Sequence, residues 1–326
     1  MIISKTPLRV SFFGGGTDIP EYFHHNGGAV IGSAIDKYIY HSVFRFPSEL
    51  FPYNTRISYS KVECVRTLDE IEHLPYREIL RANKIYGDVE LNVSSDLPSF
   101  SGLGSSSSFS VGLIKVLNAY KGLHINKESL AKEAIRIERE ILKEAVGLQD
   151  QVFAAYGGFN VIQFKKDSSF TVEPVSISNA RLEELANSLV MFFTGITRRA
   201  QNLEKDKISN MSSIRGNLDN IFRTVEIAHN LLTNNSSLSE FGRLLDSTWK
   251  EKKMLSSGVT NDVIDSIYKR AMENGALGGK LLGAGGGGFL LFFVPPERKS
   301  FLRAALKDLY EIKFNLNSSG SSIINS

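Results

Sequence analysis

Residues 98–117 read PSFSGLGSSSSFSVGLIKVL, a glycine- and serine-rich run that continues without a break into helical periodicity. Gly102 and Gly104 precede four consecutive serines, and apolar residues then recur at the spacing of one helix face from Val111 to Leu117. A flexible linker would be followed by a change of composition. The stretch therefore predicts a glycine loop that is built onto the start of a helix.

A glycine loop that leads into a helix is suited to binding anions. The free N–H groups of the first helical turn and the positive end of the helix dipole point at one spot. The Walker pattern GxxxxGK[ST] does not apply, because Ser105 stands where that pattern requires a lysine. The loop alone leaves two interpretations open: a phosphate site, or a capping loop whose serines only satisfy the helix amides.

Length and composition predict a globular chain of two domains or two lobes. Its 326 residues are 42% hydrophobic and 22% charged, which is enough apolar material for a sizeable core. The net charge of +3, from 38 basic and 35 acidic residues, argues against nucleic acid or an anionic membrane as the main partner.

Cysteine usage and the lack of a targeting segment predict a cytoplasmic protein. Cys64 is the only cysteine, so no intrachain disulfide can form, and we expect an inert, buried or half-buried thiol in a reducing compartment. The N-terminus lacks the apolar stretch of a signal peptide, and the run FLLFFV at 289–294 is too short to span a bilayer. No membrane partner is expected.

The order of periodic segments predicts an α+β fold with a sheet at each end of the chain. Strand patterns occur at 2–13, 28–36, 37–46, 56–60, 88–97, 157–164, 170–177, 189–196, 278–282, 289–294 and 311–316. Helix patterns occur at 18–25, 75–85, 105–121, 127–142, 211–233, 238–254, 261–274 and 296–310. We expect two lobes, 1–170 and 171–326, and a frayed tail after residue 316.

Three glycine-bearing segments each follow or join a predicted strand. We call SFFGGGTD at 11–18, SGLGSSSS at 101–108 and GAGGGG at 283–288 the first, second and third glycine segments. Glycine permits positive φ and close backbone approach, as wrapping a polyphosphate or a polyol demands. Tight turns between strands would explain each run equally well.

Two carboxylates stand among apolar positions. Glu138 has apolar neighbours three and four residues away on its predicted helix, and Asp150 is placed in the same way. A buried lone carboxylate is costly unless it finds a cation or hydrogen bonds. For Glu138 the alternative to a functional role is a salt bridge to Arg136 or Arg139, and for Asp150 it is a charge at a helix N-terminus.

Four segments resemble the GHMP kinases, the superfamily named for galactokinase, homoserine kinase, mevalonate kinase and phosphomevalonate kinase. PLRVSFFGGGTD, PSFSGLGSSSS, GLQDQVFAAYGG and KLLGAGGGGF follow one another in the family's order and together span residues 7–289. The first block, through GGAVIGSAIDKYIY, most resembles the D-glycero-D-manno-heptose 7-phosphate kinases. The resemblance implies an N-terminal mixed α/β lobe that carries the first three motifs, a ferredoxin-like C-terminal lobe, and an active site between them.

The resemblance also implies an ATP and Mg²⁺ site. The second motif would cradle the ATP phosphates by backbone amides, without a Walker lysine, through Pro98, Ser101, Gly102, Leu103, Gly104, Ser105, Ser106 and Ser107. Ser106 and Glu138 match the family's ligands for Mg²⁺, and the metal would bridge the nucleotide phosphates. Asp150 matches the base that takes a proton from the attacking hydroxyl. Arg9 matches a basic residue that neutralises the transferred phosphoryl group, and a structural salt bridge is its alternative.

The acceptor side of the site is implied by the first and third segments. Gly15, Gly16, Thr17 and Asp18 would hold sugar hydroxyls, although Asp18 could equally be the N-cap of the helix that follows. Gly285 and Gly286 belong to the third motif, which supports the phosphate loop. In TGITRRA at 194–200, Thr197 and Arg198, with Arg199 second, could clamp a sugar phosphate; the alternative is ordinary surface charge.

The implied reaction moves the γ-phosphoryl group of ATP to the anomeric hydroxyl of D-glycero-D-manno-heptose 7-phosphate. Its product, a 1,7-bisphosphate, would serve nucleotide-activated heptose synthesis for surface glycans. Two alternatives stay open: another sugar kinase, for L-fucose or galactose, and a non-catalytic sugar sensor on the same fold. The expected ligands are a sugar phosphate and ATP, with a homodimer as a candidate assembly.

Overall fold

The computed structural model describes residues 1–99, 101–197, 201–234 and 236–325. Within these ranges the chain forms two β-sheets with helices packed against them. Among the described helices, none combines the length and the apolar character needed to cross a bilayer.

The described strands are numbered in chain order. They are β1 Ile2–Phe13, β2 Gly28–Arg45, β3 Thr55–Ser58, β4 Val62–Val65, β5 Val89–Ser95, β6 Phe159–Phe164, β7 Phe170–Pro174, β8 Leu189–Phe193, β9 Gly278–Leu281, β10 Phe289–Phe293, β11 Tyr310–Ile312 and β12 Ser322–Asn325. The two runs predicted at 28–36 and 37–46 form the single long strand β2.

The described helices are numbered in the same way. They are α1 Pro20–Asn26, α2 Leu74–Ala82, α3 Ser105–Tyr120, α4 Lys127–Arg136, α5 Gln149–Tyr156, α6 Asn179–Ser188, α7 Gln201–Ser209, α8 Met211–Thr233, α9 Ser239–Lys253, α10 Asp262–Glu273 and α11 Lys299–Ala305. Short 3₁₀ turns lie at Ser48–Leu50, Leu68–Glu70 and Pro296–Arg298, and a π-helical turn lies at Ile137–Ile141.

The N-terminal lobe is built on an eight-stranded sheet. Its strands run in the order β12-β1-β2-β5-β3-β4, with β6 paired to the first part of β2 and β7 paired to β6. Buried side chains of α3, α4 and α5 join the core that covers this sheet. Polar residues set where the helices begin: the Asn126 side chain accepts from the Ser129 amide at 2.8 Å at the start of α4.

The C-terminal lobe is built on a four-stranded antiparallel sheet. Its order is β11-β8-β10-β9, so the first strand of the lobe lies between the fourth and the third. This 4-1-3-2 order, with helices between the first two and the last two strands, is that of a ferredoxin-like fold. The predicted α+β fold with a ferredoxin-like second lobe is confirmed.

The lobes share a hydrophobic cluster at the site where the glycine segments meet. The rings of Phe12 and Phe13 on β1 approach Phe241 of α9 with centroids 5.5 and 5.0 Å apart, both edge-on. Such aromatic pairs contribute about 0.5 to 1.5 kcal/mol each beyond burial. Leu103 of the second glycine segment and Leu282, directly before the third, belong to the same cluster. The cluster therefore sets how the two lobes face each other.

The C-terminal tail corrects the sequence prediction. Residues 322–325 do not fray but form β12, an edge strand antiparallel to β1 with Ile3 opposite Ile324. The hydroxyl groups of Thr6 and Ser321 lie 2.8 Å apart just before it. The chain thus ends in the N-terminal lobe, because the open edge of β1 offers backbone partners that a local sequence pattern does not reveal.

The proposed lobe boundary at 170/171 falls at the first residue of β7, which pairs with β6 in the N-terminal sheet.

Cys64 was expected to be buried or half-buried, and that prediction is wrong. It lies on the two-residue alternation of β4, whose buried positions are Glu63 and Val65, so the thiol points to solvent.

Candidate active site

The second glycine segment wraps the start of α3. Gly102 and Gly104 have φ values of 84° and 75°, a region that favours glycine, and Gly104 is the N-cap residue. No side chain forms a cap hydrogen bond to α3, so the capping interpretation of the serines is wrong. The amides of the first turn are therefore available to an anion in the cleft between the lobes.

The four serines have separate environments. Ser107 donates to Glu138 Oε2 at 2.9 Å, and Ser108 donates to the carbonyl of Pro7 at 2.7 Å, which ties the helix to β1. Ser106 is exposed and, with Ser105, lines the cleft. Ser106 is therefore the exposed one of these four serines.

Two hydrogen bonds anchor described residues of the loop. Ser101 Oγ donates to the carbonyl of Pro98 at 2.6 Å, and the Leu103 carbonyl accepts from the amide of Arg9 at 3.0 Å. These bonds restrain Ser101 and Leu103, and a restrained segment loses less conformational entropy when it binds an anion.

The third glycine segment packs backbone to backbone against the second. A Cβ on Gly102 would lie 2.4 Å from the carbonyl oxygen of Leu282, and one on Gly283 would lie 2.4 Å from the Cα of Gly102. Gly285 packs instead against Val259, whose Cα would lie 2.7 Å from a Cβ at position 285. The amide of Gly286 donates to the Val259 carbonyl at 2.9 Å. Side chains at these positions would force the segments apart, so the glycines permit the close approach that sets the cleft.

Arg9 and Asp150 form a bidentate salt bridge in the cleft. Arg9 Nε donates to Asp150 Oδ1 and Nη2 donates to Oδ2, both at 2.8 Å, while Nη1 donates to the Gly102 carbonyl at 2.6 Å. The predicted salt bridge of Arg9 is confirmed. Asp150 lies in the first turn of α5, and its side chain is 26% exposed, so a ligand can reach it. Arg9 thus fixes the carboxylate relative to the second glycine segment.

Asp18 is the second carboxylate of the cleft and is held only by backbone amides. Its Oδ1 accepts from Gly16 at 2.9 Å and its Oδ2 accepts from Gln149 at 3.2 Å. A Cβ on Gly147 would lie 2.0 Å from Oδ2, so only glycine fits there. Burial, and then the charge of Asp150, raise the pKa of Asp18 above its ordinary value.

Glu138 lies in the π-helical turn Ile137–Ile141, where the predicted helix departs from α geometry. Its Oε2 accepts from Ser107 and from the Gln151 amide, whereas Oε1 is buried and has no hydrogen-bond partner. Burial, and then the charge of Glu144, raise the pKa of Glu138 to about 7. A buried carboxylate oxygen without a hydrogen-bond partner is costly for the fold.

The salt-bridge alternative for Glu138 is wrong. Arg136 pairs with Glu133 at 2.7 Å and Arg139 pairs with Glu21 at 3.0 Å, so neither arginine compensates the buried acid.

The first glycine segment divides into lining and supporting residues. Gly15, Gly16 and Asp18 line the cleft. Thr17 does not, because its buried hydroxyl lies within hydrogen-bond distance of the carbonyls of Gly14 and Ala29. Its contacts secure the turn that presents Asp18.

The N-cap alternative for Asp18 is wrong, since the N-cap residue of α1 is Ile19 and no side chain caps that helix. Thr197 is exposed at the end of the segment that follows β8. Arg198 and Arg199 lie outside the described residues.

Sequence reasoning missed three buried lysines of the C-terminal lobe. Lys207, Lys252 and Lys280 line the cleft, and each is less than one-tenth exposed. Lys207 pairs with Glu204 at 2.8 Å. A signal existed only for Lys280, which interrupts the apolar strand pattern directly before the third glycine segment.

The cleft places the glycine-capped start of α3 beside a reachable carboxylate, and comparisons with known proteins identify the family of the chain. The family model described as "GHMP kinases N terminal domain" matches residues 64–158, and the model described as "GHMP kinases C terminal" matches residues 227–312. D-glycero-alpha-D-manno-heptose 7-phosphate kinase of Campylobacter jejuni is 35% identical over 323 residues, covering 94% of this chain and 93% of that protein. This chain belongs to the GHMP kinases. The predicted family is confirmed, and ATP is the co-substrate that membership implies.

Other relatives of this GHMP kinase support the same assignment. The galactokinase of Pyrococcus furiosus is 25% identical over 351 residues, covering 96% of this chain and 95% of that protein. A crystal structure of a putative sugar kinase from Campylobacter jejuni is 30% identical with a TM-score of 0.74, covering 99% and 98% of the two chains. A D-glycero-D-manno-heptose 1-phosphate kinase from Bacteroides thetaiotaomicron, 24% identical, has a TM-score of 0.82 over 100% and 99% of the chains and shares the fold.

Proposed function

We propose that this GHMP kinase transfers the γ-phosphoryl group of ATP to the anomeric hydroxyl of D-glycero-D-manno-heptose 7-phosphate. The product would be the 1,7-bisphosphate, an intermediate for nucleotide-activated heptose and surface glycans. The observation that carries the proposal is the Asp150 carboxylate, fixed by Arg9 at the anion-binding start of α3. The name of the 35% identical relative from Campylobacter jejuni supports the choice of sugar.

In the proposed reaction the ATP phosphates lie against the amides of the second glycine segment and the first turn of α3. Asp150 accepts the proton of the anomeric hydroxyl, whose oxygen attacks the γ-phosphorus while the bond to the bridging oxygen breaks and ADP leaves. A carboxylate has about four acceptor sites, so the two contacts with Arg9 leave room for that proton. The guanidinium of Arg9 also adds positive charge beside the transferred group.

Mg²⁺ fits the residues proposed for it. Glu138 has a buried oxygen without a partner, and the Ser106 hydroxyl is exposed to the cleft. Within the described ranges no cluster of three or more His, Cys, Asp or Glu side chains could hold a metal ion. The remaining ligands would thus be phosphate oxygens and water, as is usual for this ion. When bound, Mg²⁺ neutralises charge on the transferred phosphate.

The first alternative is a kinase for a free hexose, such as L-fucose or galactose. It draws support from a galactokinase and from a fucokinase of Bacteroides fragilis, of which this chain covers only 34%. The second alternative is a sugar sensor without catalysis. It is disfavoured because Asp150 remains paired, oriented and accessible, as a base requires.

A turnover assay across a panel of sugars separates these functions. ADP release is measured with heptose 7-phosphate, L-fucose, galactose and no sugar. We expect the highest kcat/KM with heptose 7-phosphate. A higher kcat/KM with a free hexose would mean that the protein is a sugar kinase with a different substrate. If folded protein that binds ATP releases no ADP in response to any sugar, the sensor is favoured.

A further inference from the structure

Two ammonium groups in the cleft have only backbone carbonyls as hydrogen-bond partners. Lys280 of β9 is 4% exposed, and its Nζ donates to the Phe12 carbonyl at 2.7 Å. Lys252 of α9 is 7% exposed and donates to the carbonyls of Leu281 and Gly283 at 2.7 and 2.5 Å. Both side chains line the same cleft as Asp18 and Arg9.

The carboxylates that line the cleft are engaged elsewhere. Asp150 is paired with Arg9, and Glu204 is paired with Lys207. Asp18 accepts from two backbone amides. Among the described residues, no carboxylate therefore lies within salt-bridge distance of Lys252 or Lys280.

Burial disfavours the charged forms of both ammonium groups. Burial, and then the charge of Arg9, lower the pKa of Lys280 to about 7. Burial, and then the charge of Lys280, lower the pKa of Lys252 as well. An arrangement this costly is typical of a ligand site rather than of a structural core, because an incoming anion restores the balance of charge.

We propose that Lys252 and Lys280 bind the phosphate group that the acceptor sugar already carries. An ammonium has three donors, so the bonds just described leave two N–H groups on Lys280 and one on Lys252 for phosphate oxygens. This inference rests on the proposed function, since it requires an acceptor that already carries a phosphate group.

The position of the lysines favours the acceptor over ATP. Lys280 reaches the carbonyl of Phe12 in the first glycine segment, whose residues Gly15, Gly16 and Asp18 line the proposed acceptor side. The amides assigned to ATP belong to α3 in the N-terminal lobe, whereas both lysines project from the C-terminal lobe. A sugar held between the lobes would thus have its reacting end at Asp150 and its phosphate at the lysines.

The test compares Lys280→Met and Lys252→Met with Lys250→Met. Lys250 lies on the same helix as Lys252, but its side chain is 70% exposed and pairs with Asp246 at 2.7 Å, so it serves as the matched control. For each protein we would measure kcat/KM for heptose 7-phosphate, the KM for ATP, and calorimetric binding of inorganic phosphate with Mg²⁺ and AMP-PNP filling the nucleotide site. Melting temperature and AMP-PNP affinity report on folding.

We expect each cleft variant to lose about ten- to a hundredfold in kcat/KM for the sugar phosphate, with a change in ATP KM of less than about threefold. Phosphate binding should weaken in parallel, and the control should match the wild type. Lys280→Arg should recover part of the loss, since it restores the charge. If Lys252→Met does not fold because its bonds to the third glycine segment are lost, Lys280→Met and Lys280→Arg decide the matter.

Three results would overturn the inference. They are an equal loss of nucleotide affinity, no phosphate binding by the wild-type ternary complex, and normal acceptor kinetics in Lys280→Met while Arg198→Ala loses them. The proposed function can fail separately. If the wild type rejects heptose 7-phosphate but Lys280→Met still abolishes phosphate binding, the lysine site stands and the sugar is wrong.

Discussion

Replacing Glu138 with glutamine should stabilise the protein in the absence of metal and nucleotide. Glutamine keeps the shape of the side chain and can still accept a hydrogen bond from Ser107, but it removes a charge that is 1% exposed. Burial raises the pKa of Glu138 from 4.5 to about 7. The folded state therefore holds this proton more tightly than the unfolded state, so the stabilising contribution is complete below pH 4.5 and is lost as pH rises through about 7.

The size of the effect follows from that shift. The rise of the pKa from 4.5 to about 7 corresponds to a loss of about 3 kcal/mol of folding free energy once Glu138 is ionised in both the folded and the unfolded state, at about 1.36 kcal/mol per pH unit. At pH 5 only about 1 kcal/mol of this destabilisation is present, because Glu138 is still protonated in the folded state. The advantage of the glutamine variant should thus grow by about 2 to 3 kcal/mol between pH 5 and pH 8.

The assay is chemical or thermal denaturation of the wild type and Glu138→Gln at pH 5 and pH 8, with EDTA and without nucleotide. Glu128→Gln is the matched control, because Glu128 lies on the neighbouring α4 and is 60% exposed beside Lys132. It should change stability by less than about 0.5 kcal/mol at either pH. An advantage of Glu138→Gln that does not increase between the two pH values would refute the reasoning, because the buried carboxylate would then carry no electrostatic cost.

Three further substitutions test the site. Asp150→Asn keeps shape but removes the base, so turnover should fall by about 10² or more while calorimetric affinity for nucleotide changes little; near-normal turnover would remove Asp150 from the mechanism. Ser106→Ala deletes one oxygen ligand and should raise the Mg²⁺ concentration for half-maximal rate, an increase that Ser105→Ala, the neighbouring control, should not show. Gly147→Ala places a methyl group 2.0 Å from Asp18 Oδ2, so kcat/KM for the acceptor should fall more than kcat/KM for ATP. If the variant and the wild type have the same kcat/KM for the acceptor, the loop moves to accept the methyl group and does not constrain Asp18.

The sequence predicted the glycine loop and the start of α3 because local rules determine them. A left-handed glycine before a helix, and amides without partners in the first turn, depend on a few consecutive residues such as Gly102 and Gly104. The helix from 105 was predicted to 121 and ends at Tyr120. Local pattern also placed Asp150 at the start of a helix.

Features that arise when distant segments meet were not predictable in this way. The helix carrying Glu138 was expected to stay regular to 142, but its last turn is π-helical. The burial of Lys252 and Lys280 appears only when α9 and β9 close over β1, since long-range packing determines which charges lose water. β12 was missed for the same reason: its partner strand lies at the other end of the sequence, and the paired residues Ile3 and Ile324 are 321 positions apart.

The most direct test of the proposed reaction is to identify the bond that forms. The wild-type protein is incubated with ATP, Mg²⁺ and heptose 7-phosphate, and the product is examined by ³¹P NMR with proton coupling. We expect a second phosphorus signal, coupled to the anomeric proton, that grows with ADP while the signal of the 7-phosphate stays intact. A new phosphate on any other carbon, or ADP formation without a new sugar phosphate signal, would contradict the proposal that Asp150 activates the anomeric hydroxyl.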